Sequence, residues 1–210
     1  MAKELFKGAV LLGPLPAVLV TTVDGSGKVN VFTVGWTGVA CTRPPMVTIA
    51  VRKERVSYEN IQATGEFVIN LTTSEMLKMT DFCGCRSGRV VDKIKHFGME
   101  LDPGSEVNVP SLSVSPVALE CKVRSVTELG THDLFLAEIV CNKVDSRVID
   151  KNGKFDLARV GLLAYCHGEY FSLSRRPLAG FGHSVAKKST RRALHVKRFQ
   201  GKKKNSKNEK

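Results

Sequence analysis

One polar segment combines side chains that are suited to contact with a ligand. The segment Asn30–Thr37 reads Asn-Val-Phe-Thr-Val-Gly-Trp-Thr and contains the only tryptophan of the chain. Asn30 and Thr33 offer an amide and a hydroxyl, and Gly35 allows a ligand to approach the backbone closely. The pattern indicates a strand that borders a ligand, although surface polar residues beside a packing Trp36 would leave the same pattern.

A second segment places cations at the start of a predicted helix. Residues Arg52–Tyr58 read Arg-Lys-Glu-Arg-Val-Ser-Tyr. Helix N-terminal amides favour anions, and arginine can bind phosphate through two parallel hydrogen bonds. The segment therefore indicates a site for a phosphate monoester, and the alternative is a solvated basic turn with Ser57 as a simple helix cap. Lys93 and Lys95, on a later predicted helix, would add positive charge or remain solvated.

A histidine on a tight connection is the third candidate. Gly130–Asp133, with the sequence Gly-Thr-His-Asp, joins two long predicted strands. From such a position His132 can reach over a neighbouring cleft, where it binds a ligand or donates a proton near neutral pH. The alternative is an exposed loop histidine.

Several common catalytic motifs are absent from the sequence. It contains neither of the glycine-rich phosphate-binding patterns, GxGxxG and GxxxxGK[ST], and no GxSxG nucleophile motif. Metal-binding spacings such as HxxxH and HExxH are absent too, so no metal site is predicted. These absences exclude the usual phosphate-loop, serine-hydrolase and zinc-enzyme motifs.

The apolar patterns predict a mainly β protein with three short helices. Strands are predicted at 15–23, 28–36, 45–51, 66–71, 117–127, 134–144 and 169–173, the first three as a consecutive meander. Helices are predicted at 58–64, at about 73–82 and at 88–97. Because the strands do not alternate regularly with helices, an antiparallel barrel is favoured over a parallel sheet.

The positive charge of the chain is concentrated at its end. The net charge is +12, and residues 186–210 contain eleven Lys or Arg and one Glu. We therefore expect one nearly neutral folded domain over residues 1–185 and a basic, disordered tail over residues 186–210. Weak, salt-sensitive binding of nucleic acid or acidic partners by the tail is the alternative.

Compartment and membrane signals point to a cytoplasmic protein. The six cysteines form no CxxC pair, as is typical of thiols in a reducing compartment. Residues 1–20 imitate a signal peptide, but Glu4, Pro14 and Pro16 interrupt the pattern. No stretch approaches the roughly 18 apolar residues of a membrane span, so we expect no membrane association.

Four stretches in order resemble the flavin reductase-like, FMN-binding split-barrel family, in particular flavoredoxin-type proteins. They are PAVLVTTVDGSGKVNVFTVGWTG, RPPMVTIAVRKERVSYENIQATGEFVINL, SGRVVDKIKHFGMELDPGSEVNVPSLSVSPVALECKV and GTHDLFLAEIV. The resemblance implies a six-stranded antiparallel Greek-key split β-barrel with short inserted helices. It also implies a homodimer with one FMN per subunit near the dimer interface.

The resemblance assigns roles to individual residues of this chain. The residues implied to line the flavin ring and its ribityl side are Asn30, Thr33, Val34, Gly35 and Trp36. The residues implied to hold the phosphate are Arg52, Lys53, Ser57 and Tyr58, with Lys93 adding charge. His132 is implied to lie near the flavin and nicotinamide faces as the catalytic residue.

The resemblance implies an FMN-binding oxidoreductase. Electrons would come from NAD(P)H or a reduced protein partner and pass to free flavin, an electron carrier or a small acceptor. Because a bound cofactor supplies the chemistry, no protein nucleophile is needed. The alternatives are a non-catalytic FMN electron carrier and a binder of nucleic acid or acidic partners that acts through its tail.

Overall fold

The computed structural model describes residues 2–185 of the chain. The chain divides into two compact units, Met1–Arg175 and Arg176–Lys210, and every strand and helix described below lies in the first. The predicted disorder of the basic tail, residues 186–210, falls outside the described residues. None of the helices within residues 2–185 combines the length and apolar character that a membrane crossing requires.

Short strands dominate the described part of the chain. The strands are β1 (Leu15–Pro16), β2 (Val18–Val23), β3 (Val29–Val34), β4 (Thr37–Thr42), β5 (Pro45–Arg52), β6 (Glu66–Leu71), β7 (Leu101–Asp102), β8 (Ser111–Leu112), β9 (Val117–Glu128), β10 (His132–Val144), β11 (Leu163–Cys166) and β12 (Glu169–Ser172). The α-helices are α1 (Val56–Thr64), α2 (Leu77–Cys85) and α3 (Lys93–Phe97).

Seven of the described strands form one antiparallel sheet in the order β3-β2-β6-β9-β10-β5-β4. The hairpin of β2 and β3 therefore lies at one end of the order, and the hairpin of β4 and β5 lies at the other. A second sheet combines β1, β11 and β12, and β7 pairs with β8. This topology corrects the predicted meander, because β5 pairs with β4 and β10 instead of β3.

The main sheet curls around a single apolar core. Six of its strands contribute buried side chains to this core, among them Val18, Val20, Phe32, Val34, Val47, Ile49, Val51, Phe67, Ile69, Cys121, Phe135 and Ala137. Strands β3 and β5 both contribute, although four strands separate them in the order of the sheet. The sheet therefore has the form of a barrel that is incompletely closed between β3 and β5.

Helices α2 and α3 cover the outer face of β2 and β3, whereas α1 contributes Ile61 to the barrel core. Leu19 and Val31 point away from the barrel core and pack with Met76 and Cys83 beside and within α2. This arrangement explains why all six residues of β2 are buried. At Gly84 the helix approaches β3 so closely that an added Cβ would lie 3.3 Å from the Cβ of Thr33.

The mainly β, antiparallel prediction with short inserted helices is confirmed, and three details are wrong. Thr37–Thr42 is a strand that the apolar pattern did not reveal, and it adds a seventh described strand to the six that line the core. The third helix covers only Lys93–Phe97, after an Asp92 cap. Helix α1 has Arg55 at its N-cap, so Ser57 is a buried first-turn residue and does not cap the helix.

Candidate functional site

A cavity of about 350 Å³ lies where the barrel is incompletely closed. The residues that line it are Ala17, Phe32, Thr33, Val34, Gly35, Trp36, Ala50, Val51, Arg52, Arg55, Asp81, Gly84, Cys85, His132, Tyr165, Gly168 and Tyr170. They come from the end of β3, from β5 and the turn after it, from α2, from the start of β10 and from the hairpin of β11 and β12. Together with Ala17, between β1 and β2, six separate segments of the sequence therefore converge on one space.

The backbone just beyond β3 extends the ladder between β4 and β5, because Trp36 and Ala50 continue the register that pairs Thr37 with Ile49. The N–H of Ala50 donates to the carbonyl of Trp36 at 2.9 Å. Gly35 immediately precedes Trp36. A Cβ added to Gly35 would have only the Pro16 carbonyl oxygen nearby, at 4.0 Å. The backbone of residues 34–36 thus borders the cavity directly, as a ligand that contacts main-chain atoms requires.

One side of the cavity is positively charged. Arg52 pairs with Glu54 through Nε at 3.0 Å, in an exposed contact. Arg55 is half-buried and has no ion-pair partner among residues 2–185. It lies at the N-cap of α1, where the helix dipole adds further positive charge. This side of the cavity is therefore suited to an anion.

His132 borders the cavity from the first position of β10, opposite Arg52 in the strand register. Its ring lies against Trp36 with 4.4 Å between centroids and an interplanar angle of 36°. Its Nδ1 is 2.9 Å from the hydroxyl oxygen of Thr131. Burial, Arg52 and Arg55 together lower the pKa of His132 below its ordinary value, despite an opposing effect of Glu54. The imidazole is therefore neutral at neutral pH.

The opposite wall carries phenol and carboxylate groups. Tyr165 and Tyr170, on the paired strands β11 and β12, are in edge contact with 5.4 Å between centroids. Burial and the neighbouring Asp81 raise the pKa of Tyr170 to about 12, so its phenol stays protonated. The cavity thus has a cationic side and an aromatic side that carries a carboxylate.

Six of the predicted site residues meet at this cavity, namely Thr33, Val34, Gly35, Trp36, Arg52 and His132. The hydroxyl of Thr33 donates to the carbonyl of Thr80 in α2, so that hydroxyl already has an acceptor within the protein. The two predicted segments, the Trp36 strand and the cationic turn, therefore share one cavity.

Asn30 and Ser57 lie outside the cavity lining and belong to a polar network beneath α1. The Asn30 amide donates to the Ser57 hydroxyl oxygen at 2.8 Å, and the Thr22 hydroxyl lies 3.2 Å from the same oxygen. Asn60 in turn donates to Thr22 at 3.0 Å. Because Ser57 is only 1% exposed, this network joins the first turn of α1 to β2 and β3.

Lys53 and Tyr58 also lie outside the cavity lining, and both are engaged by carboxylates. Lys53 pairs with Glu128 and lies 3.6 Å from the buried Asp133. The hydroxyl of Tyr58 donates to the other oxygen of Asp133 at 2.6 Å. This hydrogen bond raises the pKa of Tyr58. These contacts join the start of α1 to β10.

Lys93 is 3% exposed and donates to two backbone carbonyls at the end of α2. Its Nζ lies 3.2 Å from the carbonyl oxygen of Arg86 and 3.4 Å from that of Cys83. Burial lowers the pKa of Lys93. Its charge therefore stabilises the carboxyl end of a helix, a position favoured for cations.

Arg55 and the aromatic wall are absent from the predicted site. Arg55 lies inside the basic segment, but the resemblance assigned it no role in the site. Tyr165 and Tyr170 follow a segment without clear apolar periodicity, and no local pattern connects them to Trp36.

Comparison with known proteins places this arrangement in a family. A family model described as a flavin reductase like domain matches residues 13–174. The fold matches the flavoredoxin of Desulfovibrio vulgaris (Miyazaki F) with a TM-score of 0.81 and 27% identity, over 87% of this chain and 100% of that one. It matches a flavoredoxin from Methanosarcina acetivorans with a TM-score of 0.79 and 28% identity, over 89% and 100% of the two chains.

A sequence relative extends the comparison. An uncharacterized protein of Archaeoglobus fulgidus is 32% identical over 140 residues, which cover 67% of this chain and 78% of the relative. The fold, with its cavity between β3 and β5, is that of a split-barrel protein related to flavin reductases. The chain belongs to the flavin reductase-like family, and its structure is similar to the flavoredoxins.

Proposed function

We propose that the protein is an FMN-dependent oxidoreductase that takes electrons from NAD(P)H or a reduced protein partner. It passes them to free flavin, an electron carrier or a small acceptor. The observation that carries this proposal is that the Trp36 segment and the Arg52–Arg55 turn line one cavity. Bound FMN would supply the electron-transfer chemistry.

The residues present fit the three chemical parts of FMN. Backbone and apolar atoms of residues 32–36 face the cavity and suit the flat ring, while Trp36 adds an aromatic neighbour. Arg52 and Arg55 with the amides of α1 suit the phosphate. Carboxylates engage Lys53 and Tyr58, and backbone carbonyls engage Lys93, so we assign these three residues a structural role around the site. We assign the main phosphate contact to Arg55.

Flavin titration of the purified protein tests the proposal. We expect a bound-flavin spectrum with FMN and a weaker interaction for Arg55→Ala. Loss of a charge-assisted contact of about 1.5–3 kcal/mol corresponds to a dissociation constant about 10- to 150-fold higher. Arg124→Ala removes an exposed arginine that pairs with Glu138 outside the cavity lining, and it serves as the matched control. Protein that takes up no FMN at micromolar concentration would contradict the proposal.

A non-catalytic electron carrier is the second candidate, favoured by the similarity to two flavoredoxins. Rapid mixing of the FMN-loaded protein with NADH and NADPH separates the two functions. Bleaching of the flavin absorbance by either donor supports the oxidoreductase. Reduction only by a redox protein supports the carrier.

We also propose that two copies of the chain associate through β4. Within the described residues this strand pairs only with β5, and its Val39 is 78% exposed. An exposed edge strand with an apolar side chain is suited to pairing with a second chain. Since β4 directly follows Trp36, such an interface would lie beside the cavity. Sedimentation should give a dimer for the native protein and a monomer for Val39→Glu.

The basic tail and the cytoplasmic location remain predictions. Deletion of residues 186–210 should leave the flavin content intact. Any binding to nucleic acid or acidic partners should disappear with the tail and weaken with salt.

A further inference from the structure

The connection before β10 links the cavity to bulk water through two adjacent side chains. Thr131 is exposed, whereas His132 is partly buried and lines the cavity. The Thr131 hydroxyl oxygen lies 2.9 Å from His132 Nδ1. Because Nδ1 faces Thr131, Nε2 is the ring nitrogen available to a ligand in the cavity.

Two contacts fix the orientation of the His132 ring. Trp36 packs against its face with 4.4 Å between ring centroids, and Thr131 engages one edge. Trp36 follows β3 and His132 begins β10, so the ring is held between separate parts of the barrel. A ring held in this way can transmit a proton between its two nitrogens without changing its position.

We infer that Thr131 and His132 form a proton relay between bulk water and the ligand in the cavity. Thr131 is the positioning residue, and His132 contacts the ligand. The inference rests on the proposed flavin-binding function, since reduction of a flavin by single electrons takes up protons and reoxidation of the reduced flavin releases them.

The relay balances without any change in net charge on the protein. The proton on Nε2 passes to a basic atom of the ligand, and Nδ1 takes the proton of the Thr131 hydroxyl. In the same concerted step the Thr131 oxygen takes a proton from an acid in bulk solvent, so no alkoxide forms and one solvent proton replaces the proton that the ligand gains. Release of a proton by the ligand reverses each transfer and restores the original tautomer, so the protein itself gains and loses no electrons.

The charged groups around His132 are consistent with this relay. Arg52 lies opposite it on β5, and Arg55 and Glu54 approach from the following turn. Asp133, the next residue on β10, accepts a hydrogen bond from Tyr58 and has Lys53 nearby. Burial and the two arginines favour the neutral ring, which can both accept and donate a proton.

Trp36 offers a readout that does not depend on catalysis. It is the only tryptophan of the chain, and a protonated imidazole in ring contact quenches indole emission. A pH titration of the emission in flavin-free protein therefore reports the protonation of His132. We expect the midpoint to lie below the ordinary histidine value of about 6.5.

Thr131→Val, with Thr131→Ser as the conservative variant, tests the relay. The valine removes the group that accepts from the protonated Nδ1, so the emission midpoint should fall by about 0.5 pH unit or more. Reduction of bound flavin by a reduced protein, and reoxidation of the reduced flavin, should slow by about tenfold, against the 10²- to 10⁴-fold effects of general acid–base groups. Thr131→Ser should restore both values, and flavin affinity should be unchanged.

Thr127→Val removes an exposed threonine from the same hairpin and is the matched control. A Thr131→Val protein with normal flavin content, an unchanged midpoint and an unchanged reduction rate would overturn the relay alone. Protein that binds no flavin would overturn the proposed function and the relay with it. A slow Thr131→Ser variant would also contradict the relay, because serine retains the hydroxyl.

Discussion

Replacement of Glu120 by Gln is expected to lower the free energy of unfolding by about 3 kcal/mol at neutral pH. Glu120 is fully buried on β9. Its carboxylate accepts from the backbone N–H groups of Ser105 and Glu106, with the shortest distance 2.7 Å. Its other partner is the Lys143 Nζ, at 3.2 Å. The carboxylate therefore holds the loop before β8 and a neighbouring strand at the same time.

The magnitude follows from these partners. Removal of one member of a buried ion pair costs about 3–5 kcal/mol, because the remaining charge is left without compensation. The Lys143 side chain is 26% exposed, so water can solvate it in part, which places the expected value at the lower end of that range. Gln keeps the size of the side chain and isolates the effect of charge.

The effect should depend on pH in a defined direction. Burial alone would raise the pKa of Glu120, but the N–H groups of Glu106 and Ser105 and the Lys143 charge outweigh it and lower the pKa. A carboxyl whose pKa is lower in the folded state stabilises the protein above its unfolded pKa of about 4.3. This stabilisation is lost as the pH falls through the folded value.

Urea unfolding across this pH range is the assay. The native protein and Glu120→Gln should differ by about 3 kcal/mol at neutral pH and should converge below the folded pKa of Glu120. Glu106→Gln is the control, because Glu106 contributes its backbone N–H to this contact. Equal stabilities at neutral pH, or a difference that persists unchanged in acid, would refute the assignment of charge stabilisation to Glu120.

Three further predictions concern the frame of the cavity. Ser57→Ala leaves the donors of Asn30 and Thr22 without their acceptor. The free energy of unfolding in urea should therefore fall by about 1–3 kcal/mol, and FMN retention should weaken. Unchanged values would show that this network does not support the site. Tyr58→Phe removes the donor to the buried Asp133 and should lower stability by a similar amount, about 1–3 kcal/mol, in the same urea assay; native stability would contradict the role of this bond. His132→Gln should slow flavin reduction in rapid mixing while FMN stays bound, and a native rate would show that His132 is not catalytic.

The strands with β-branched runs could be predicted because their signal is local. Residues 45–51 and 66–71 read PMVTIAV and EFVINL, and both are strands in the structure. The missed strand, Thr37–Thr42, reads TGVACT, where Gly and Ala weaken the apolar pattern and an exposed edge position needs no buried face. The pairing of β5 with β10 joins residues about 80 positions apart, and no local pattern encodes it.

The site residues likewise divide into those that their own segment predicts and those whose contacts depend on distant segments. Trp36, Arg52 and His132 were found because each lies in a segment of unusual composition. The engagement of Lys53 by Glu128 could not be predicted, since this pair spans 75 positions and depends on the approach of the turn before α1 to the end of β9. A basic residue in a basic segment therefore predicts a nearby anion but does not say whether that anion belongs to the protein.

The incomplete closure between β3 and β5 makes any occupant of the cavity part of the barrel wall. Other neighbouring strands of the sheet are joined by ladders of hydrogen bonds, but none joins β3 to β5 among the described residues; the bond from Ala50 to Trp36 continues the ladder between β4 and β5. A bound molecule would connect the two flanking strands and restrict their separation. Binding should therefore slow hydrogen exchange in both strands along their length, including at amides that the molecule does not touch.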